Sequence, residues 1–227
     1  MAKKNRVDNR NKALSDRRYG FRDPNPRPII IITEGEQTEK IYFESIAKYI
    51  SSKDDDSIAK KPKIRVFGVG KSGMRLVEEA IAITSRSIPL YQECWIVFDK
   101  DENLDFDEAI SYAESLGFKV AWSNESFECW LYMHFKQVSA PWHRFEYENR
   151  LNTEFKSSGL ALEGYKKTSP TIGLLPVTNG YLKNAVQQAQ RLEAKNNEDN
   201  SSPAKYNPGT TVHHLILALK PYIKELI

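Results

Sequence analysis

The sequence has little cysteine and no long hydrophobic run, and both absences narrow the class of protein. Only two of its 227 residues are cysteines, Cys94 and Cys129. Each stands in an apolar stretch, which favours buried reduced thiols over a disulfide or a metal–thiolate site. No run of about 18 apolar residues occurs, so we expect no transmembrane helix. The first residues are polar and contain no apolar core of a signal peptide, so we expect a cytoplasmic protein.

Positive charge is concentrated near the amino-terminal end. The formal net charge of the chain is +3, whereas residues 1–27 carry nine lysines and arginines against three aspartates. Because this segment also lacks an apolar pattern, we expect a basic N-terminal arm over residues 1–27 that contacts nucleic-acid phosphates. Arg17 and Arg18 are candidate contacts. A solubilising tail is the alternative that the composition leaves open.

Residues 28–140 alternate between strand-like and helical patterns, which is typical of an α/β fold. Four segments read as strands: 29–32, 63–69, 94–98 and 118–122. The first and the third do not alternate with polar residues, which predicts strands buried on both faces. We therefore expect a parallel four-stranded sheet flanked by helices. A strand order of 2-1-3-4 would make the first and third strands neighbours at a topological switch point. Residues 141–227 lack a strong strand pattern and predict a helical extension packed on this core.

Carboxylates follow the two strands that this order brings together. Glu34 comes directly after the first strand, and Asp99 and Asp101 follow the third. Like charges this close raise one another's pKa unless a cation binds them. Mg²⁺ or Mn²⁺ suits such a site, because carboxylates, water and substrate phosphate oxygens are its usual ligands. In the alternative interpretation the two aspartates only solvate a turn.

A fourth carboxylate, Glu128, stands inside an otherwise apolar helical segment. A charge there is costly unless it is paired or bound to metal, although the first turn of a helix also favours an acid. Glu36 and Glu39 are candidates for supporting roles, and Glu39 is equally well explained as a first-turn acid. His134 reads as a core residue. His213 and His214 are adjacent on a helix, so we expect them to point to different sides and not to chelate a metal.

Several basic residues are candidate phosphate contacts: Lys71, Arg75, Lys166 and Lys167. Residues 70–72 (GKS) are similar to a phosphate-binding loop, but Arg65 stands where that loop needs its first glycine. Tyr165 beside Lys166 and Lys167 suggests a loop that contacts nucleic acid. A solvated loop remains the alternative.

The same residues resemble two known groups of proteins. A glutamate after the first strand and Asp-x-Asp after the third are similar to the Toprim domain of primases, topoisomerases and OLD-type nucleases. Residues 33–43 (TEGEQTEKIYF) resemble the opening motif of the RloB family, a prokaryotic Toprim-like group. Three further stretches fit that family in order: 99–101 (DKD), 123–135 (SNESFECWLYMHF) and 207–212 (NPGTTV).

The resemblance implies a Toprim-like fold and assigns roles by motif. Glu34, Asp99 and Asp101 would bind the metal, and Glu128 would act with them as a catalytic residue. The family association implies phage defence or abortive infection in bacteria or archaea, often beside an AAA-type ATPase. It also implies nuclease activity.

We therefore predict a metal-dependent nuclease that cleaves RNA or DNA in antiviral defence, with an AAA-type ATPase as partner. One alternative is a non-catalytic nucleic-acid-binding or sensor subunit of an ATPase complex. Another is a haloacid-dehalogenase-like phosphatase with Asp99 as nucleophile, which residues 97–101 (VFDKD) suggest. That alternative leaves Glu34 without a role, and Asn103 stands where a threonine or valine is usual.

Overall fold

The computed structural model describes residues 28–53, 61–86, 91–178, 180–199 and 201–227. The predicted basic arm, with Arg17 and Arg18, lies outside these ranges. No helix within them is long and apolar enough to cross a lipid bilayer. Both cysteines are buried and free, as expected.

The fold is α/β, with one five-stranded mixed sheet. Its strands are β1 (Ile29–Thr33), β2 (Ile64–Gly68), β3 (Glu93–Asp99), β4 (Lys119–Asn124) and β5 (Gly209–Thr210). The order across the sheet is β2-β1-β3-β4-β5. The first four strands pair in parallel and β5 is antiparallel to β4. The order 2-1-3-4 is thus confirmed, while the expectation of a wholly parallel four-stranded sheet missed β5.

The apolar run of β1 is unbroken because both faces of this strand are buried. Ile29 and Ile31 pack into one apolar cluster, and Ile30 and Ile32 pack into a second cluster on the opposite face. All four side chains are at most 2% exposed. A strand covered on both faces has no reason to alternate, because every position removes apolar surface from water.

Helices cover both faces of the sheet. Within the described ranges the α-helices are α1 (Thr38–Ser52), α2 (Gly73–Ser85), α3 (Phe106–Ser115), α4 (Phe127–Tyr132), α5 (Arg144–Ser157), α6 (Tyr181–Glu198) and α7 (Val212–Leu219). Helices α2 and α3 pack on one face, and α1 packs on the other with α4 to α7. The apolar helical segment that holds Glu128 is the short helix α4, which ends at Tyr132.

The carboxyl-terminal part shares its core with the sheet. Leu151 of α5, Leu182 of α6 and Ile216 of α7 are fully buried in the same cluster as Phe43 of α1. This part is helical, as expected, apart from β5 and short 3-10 turns. The domain boundary at residue 140 stays a prediction.

Candidate active site

Glu34 lies at the carboxyl edge of the sheet, between the ends of β2 and β3. Its backbone N–H donates to the carbonyl of Val97 at 2.8 Å, and its carbonyl accepts from the N–H of Gly70 at 2.9 Å. Its Oε2 accepts from the N–H of Asp99 at 3.3 Å. The first and third strand ends are therefore adjacent, and the sequence correctly predicted that Glu34 and Asp99 meet there.

Asp99 presents two very different carboxylate oxygens. Its Oδ2 accepts from the N–H of Phe127 at 2.9 Å, at the start of α4. Its Oδ1 is buried and has no hydrogen-bond partner among the described residues. Burial, followed by the negative charges of Glu39, Glu34 and Glu128, raises the pKa of Asp99 well above its ordinary value. A buried carboxylate oxygen without a donor is costly, and a bound cation would satisfy it.

Glu39 is part of this site, although its sequence position suggested an ordinary first-turn acid as much as a supporting role. It is only 5% exposed, and its Oε1 accepts from the N–H of Gly35 at 3.2 Å. A Cβ atom on Gly35 would lie 2.0 Å from Oε2 of Glu39, so the glycine makes room for the carboxylate. Burial raises the pKa of Glu39 to about 7. Burial likewise raises the pKa of Glu34 to about 7.

Glu128 is buried in α4, with 3% of its surface exposed. Its Oε1 accepts from the hydroxyl of Tyr165 at 2.8 Å and lies 3.4 Å from Nζ of Lys167. Lys167 also contacts Glu148 at 3.0 Å. The hydroxyl of Thr38 donates to the carbonyl of Lys167 at 3.0 Å, which joins this loop to the first turn of α1. Because Lys167 is shared between Glu128 and Glu148, it offsets the charge of Glu128 only in part.

These carboxylates surround a cavity of about 500 Å³. Its lining includes five acids, Glu34, Glu36, Glu39, Asp99 and Glu128. Side chains that can donate to phosphate line it as well, among them Lys71, Ser72, Lys167 and Thr168. No three of the five acids have ligand oxygens all within 4.8 Å of one another. That spacing suits Mg²⁺ or Mn²⁺ bound by one or two carboxylates with water completing the shell. The orphaned Oδ1 of Asp99 and the oxygen-only acids both fit such an ion.

Asp101 is placed differently from the other predicted ligands. Its carboxylate is ion-paired with Arg144, and it is not among the residues that line the cavity. Its charge still acts on Glu34, where it is one of the smaller causes of the raised pKa. Metal binding by Asp101 stays a prediction that requires the carboxylate to leave Arg144.

The predicted phosphate contacts divide into two groups. Lys71 and Lys167 line the cavity, and Lys71 also pairs with Glu79 at 2.5 Å. Arg75 and Lys166 are exposed and lie outside the lining. Tyr165 is 8% exposed and its hydroxyl donates to Glu128, so its ring is not open to a base. Nucleic-acid contact by this loop stays a prediction. Ser72, the last residue of the GKS stretch, also lines the cavity, and Thr168 joins it at a loop position that carries no distinctive pattern.

Comparison with known proteins assigns the chain to a family. A search among curated proteins finds no match, and neither does a search among solved structures. The family model described as RloB-like protein matches residues 29–219, a stretch that contains Glu34, Asp99 and Glu128. Because this match covers most of the chain, the protein belongs to the RloB-like family.

Proposed function

We propose that the protein is a Toprim-like, metal-dependent nuclease that hydrolyses phosphodiester bonds in RNA or DNA. The observation that carries this proposal is the buried Oδ1 of Asp99, which has no hydrogen-bond partner among the described residues. Asp99 lines a cavity together with four further acids. Such a cluster is unfavourable without a cation. A bound Mg²⁺ or Mn²⁺ would polarise a phosphate oxygen and lower the pKa of a coordinated water.

Each side of the cavity has a separate task in this proposal. Glu34 and Asp99 would hold the cation at the carboxyl edge of β1 and β3. Glu39 and Glu128 would bind its water ligands or a second ion. Lys71 and Lys167, which both line the cavity, would contact the phosphates flanking the scissile bond. Asp101 would join the ligands only after its carboxylate leaves Arg144.

The biological setting belongs to the proposal as well. Resemblance to the family supports antiviral defence by phage-linked abortive infection, with an AAA-type ATPase encoded nearby as partner. The basic arm over residues 1–27 would add contacts to the nucleic-acid backbone through Arg17 and Arg18.

The direct test is cleavage of labelled RNA and DNA with Mg²⁺ or Mn²⁺, with and without the neighbouring ATPase. Glu34→Gln and Asp99→Asn should each lower the divalent-dependent rate on the order of a hundredfold or more. Glu114→Gln, a change at an exposed acid of α3, is the matched control and should leave the rate unchanged.

Two outcomes would favour the other functions. If wild type and the Glu34→Gln/Asp99→Asn double variant behave identically under all these conditions, the acids are not catalytic and a binding or sensor subunit is favoured. If the protein hydrolyses a small aryl phosphate in a manner that depends on Asp99 but not on Glu34, the phosphatase is favoured.

A further inference from the structure

A second group of potential metal ligands lies between two helices of the carboxyl-terminal part. Glu193 is in α6, and His213 and His214 are in the first turn of α7. The Nε2 atoms of both histidines lie 3.1 Å from Oε2 of Glu193, and that of His214 lies 2.9 Å from Oε1. Within the described ranges, this is the one group of three whose ligand atoms all lie within 4.8 Å of one another.

The convergence of the two histidines corrects an expectation from the sequence. Adjacent helical residues do not face each other, and the two rings were expected to point to different sides. Their ring centroids are instead 4.3 Å apart, and both rings reach the same carboxylate. Glu193, twenty residues earlier in the chain, supplies the shared target because α6 packs against α7 in the same apolar cluster.

The donor set distinguishes this group from the acidic cavity. Two imidazole nitrogens and one carboxylate oxygen suit Zn²⁺, whereas Mg²⁺ prefers oxygen ligands. In a tetrahedral zinc site with bonds of about 2.0–2.1 Å, neighbouring ligand atoms are roughly 3.3 Å apart. The observed separations of 2.9–3.1 Å between nitrogen and oxygen need only a small outward adjustment to accept the ion.

The burial of the three side chains suits a site that can be filled from solvent. The side chain of His213 is 1% exposed, Glu193 is 29% exposed and His214 is 44% exposed. His213 is therefore fixed by packing, while the other two ligands give access to the ion. Three protein ligands leave one coordination position for water, as in other three-ligand zinc sites.

We propose that Glu193, His213 and His214 form a Zn²⁺ site that joins α6 to the first turn of α7. The site is separate from the acidic cavity and does not depend on nuclease activity. Bound zinc would stabilise the local structure. It would fix the first turn of α7, which begins just after β5, and so would help to hold β5 against β4.

The test uses the full chain, from which metal is first removed with a chelator. Zn²⁺ is then titrated in a buffer that contains excess Mg²⁺, so that Mg²⁺ occupies the acidic cavity. We expect one zinc to bind per chain, with a rise in Tm on the order of 5 °C at a hundredfold excess of free Zn²⁺ over Kd. Co²⁺ in place of zinc should show the visible absorption bands of a four-coordinate ion.

Two variants at the more accessible ligands, Glu193→Gln and His214→Gln, should each weaken zinc binding about tenfold or more. His143→Asn, at an exposed histidine, and Asp99→Asn, in the acidic cavity, should bind zinc like wild type. Circular dichroism checks that each variant is folded, and His214→Gln changes the most exposed ligand. The proposal is overturned if no zinc binds, if both ligand variants bind normally, or if Asp99→Asn is the change that abolishes binding.

Discussion

Nη1 of Arg144 donates to both carboxylate oxygens of Asp101, at 2.6 and 2.5 Å. Asp99, only two residues earlier, leaves Oδ1 without a partner among the described residues. The backbone of Asp101 has a φ of +35°, and this left-handed conformation turns the chain between the two aspartates. The two acids of the Asp-x-Asp motif therefore face different partners, and they should differ in their effect on metal binding.

Divalent-ion affinity should separate these two aspartates. Asp99→Asn removes an oxygen that faces the cavity, so it should weaken Mg²⁺ or Mn²⁺ binding on the order of tenfold or more. Asp101→Asn disturbs a carboxylate that Arg144 already holds, so it should weaken binding less than about threefold. Calorimetric titration measures both. Equal losses in the two variants would show that Asp101 leaves Arg144 to become a ligand.

Removing the charge of Asp99 should stabilise the metal-free protein. The raised pKa means that the folded state holds a proton which the unfolded state releases, so wild-type stability falls as pH rises above the ordinary range of an aspartate. In EDTA at pH 8, Asp99→Asn should raise Tm by about 2–4 °C, equivalent to about 1 kcal/mol. Thermal unfolding with and without Mg²⁺ measures this.

The gain from Asp99→Asn should be specific to the site. Glu114→Gln, at an exposed position of α3, should leave Tm unchanged in EDTA. Added Mg²⁺ should stabilise wild type more than Asp99→Asn, because the variant lacks one charged ligand. A lower Tm for Asp99→Asn in EDTA would contradict the interpretation of Oδ1 as an unsatisfied oxygen.

Acid should destabilise the fold through His134. This residue is fully buried, its Nε2 lies 3.0 Å from the hydroxyl of Tyr42, and burial lowers its pKa from 6.5 to about 4. The unfolded state therefore binds a proton first as pH falls, and stability present above pH 6.5 is lost down to about pH 4. The full effect is about 3 kcal/mol.

The variant His134→Gln should flatten this part of the stability profile, because it retains polar atoms but has no group that titrates there. Urea unfolding between pH 4 and pH 7.5 measures the slope. His143→Asn, at a histidine whose side chain is 55% exposed, should keep the wild-type slope. A wild-type slope in His134→Gln would assign the acid sensitivity to other groups.

Nucleic-acid binding should depend on Lys167 more than on its neighbour. Lys167 lines the acidic cavity, whereas Lys166 pairs with Glu163 outside it. Lys167→Gln should weaken binding of a single-stranded oligonucleotide several-fold and reduce the salt slope by about one. Lys166→Gln should change neither quantity measurably. Fluorescence anisotropy over a salt series provides both values, and equal effects of the two substitutions would place the phosphate contacts elsewhere.

The sheet and the pair Glu34–Asp99 could be predicted from the sequence because each follows from local patterns. Unbroken apolar runs marked β1 and β3 as buried, and parallel strands end at one edge. Strand β5 could not be predicted, since the two residues Gly209 and Thr210 carry no apolar pattern. Its pairing with β4 is a tertiary contact made late in the chain.

The rest of the site could not be predicted from the sequence, because it also depends on tertiary contacts. The sequence position of Glu39 suits a first-turn acid as well as a supporting role. Its burial and the nearby charges of Glu128 and Lys167 arise only in the folded chain. The partner of Asp101 is forty-three residues further along the chain. The burial and the partner of such a charged side chain depend on a segment that is distant in sequence. Hydrophobic periodicity gives information only about residues close in sequence.

Strand β5 has a consequence for any attempt to shorten this protein. Its two residues pair with Ser123 and Asn124, the last two residues of β4. A fragment ending near residue 140 would leave β4 as a bare edge with unpaired N–H and C=O groups, beside apolar surface that α5 to α7 now cover. Such an edge is a template for pairing with another chain. We therefore expect the fragment to self-associate. In the full chain, β5 prevents this by pairing with the edge of β4.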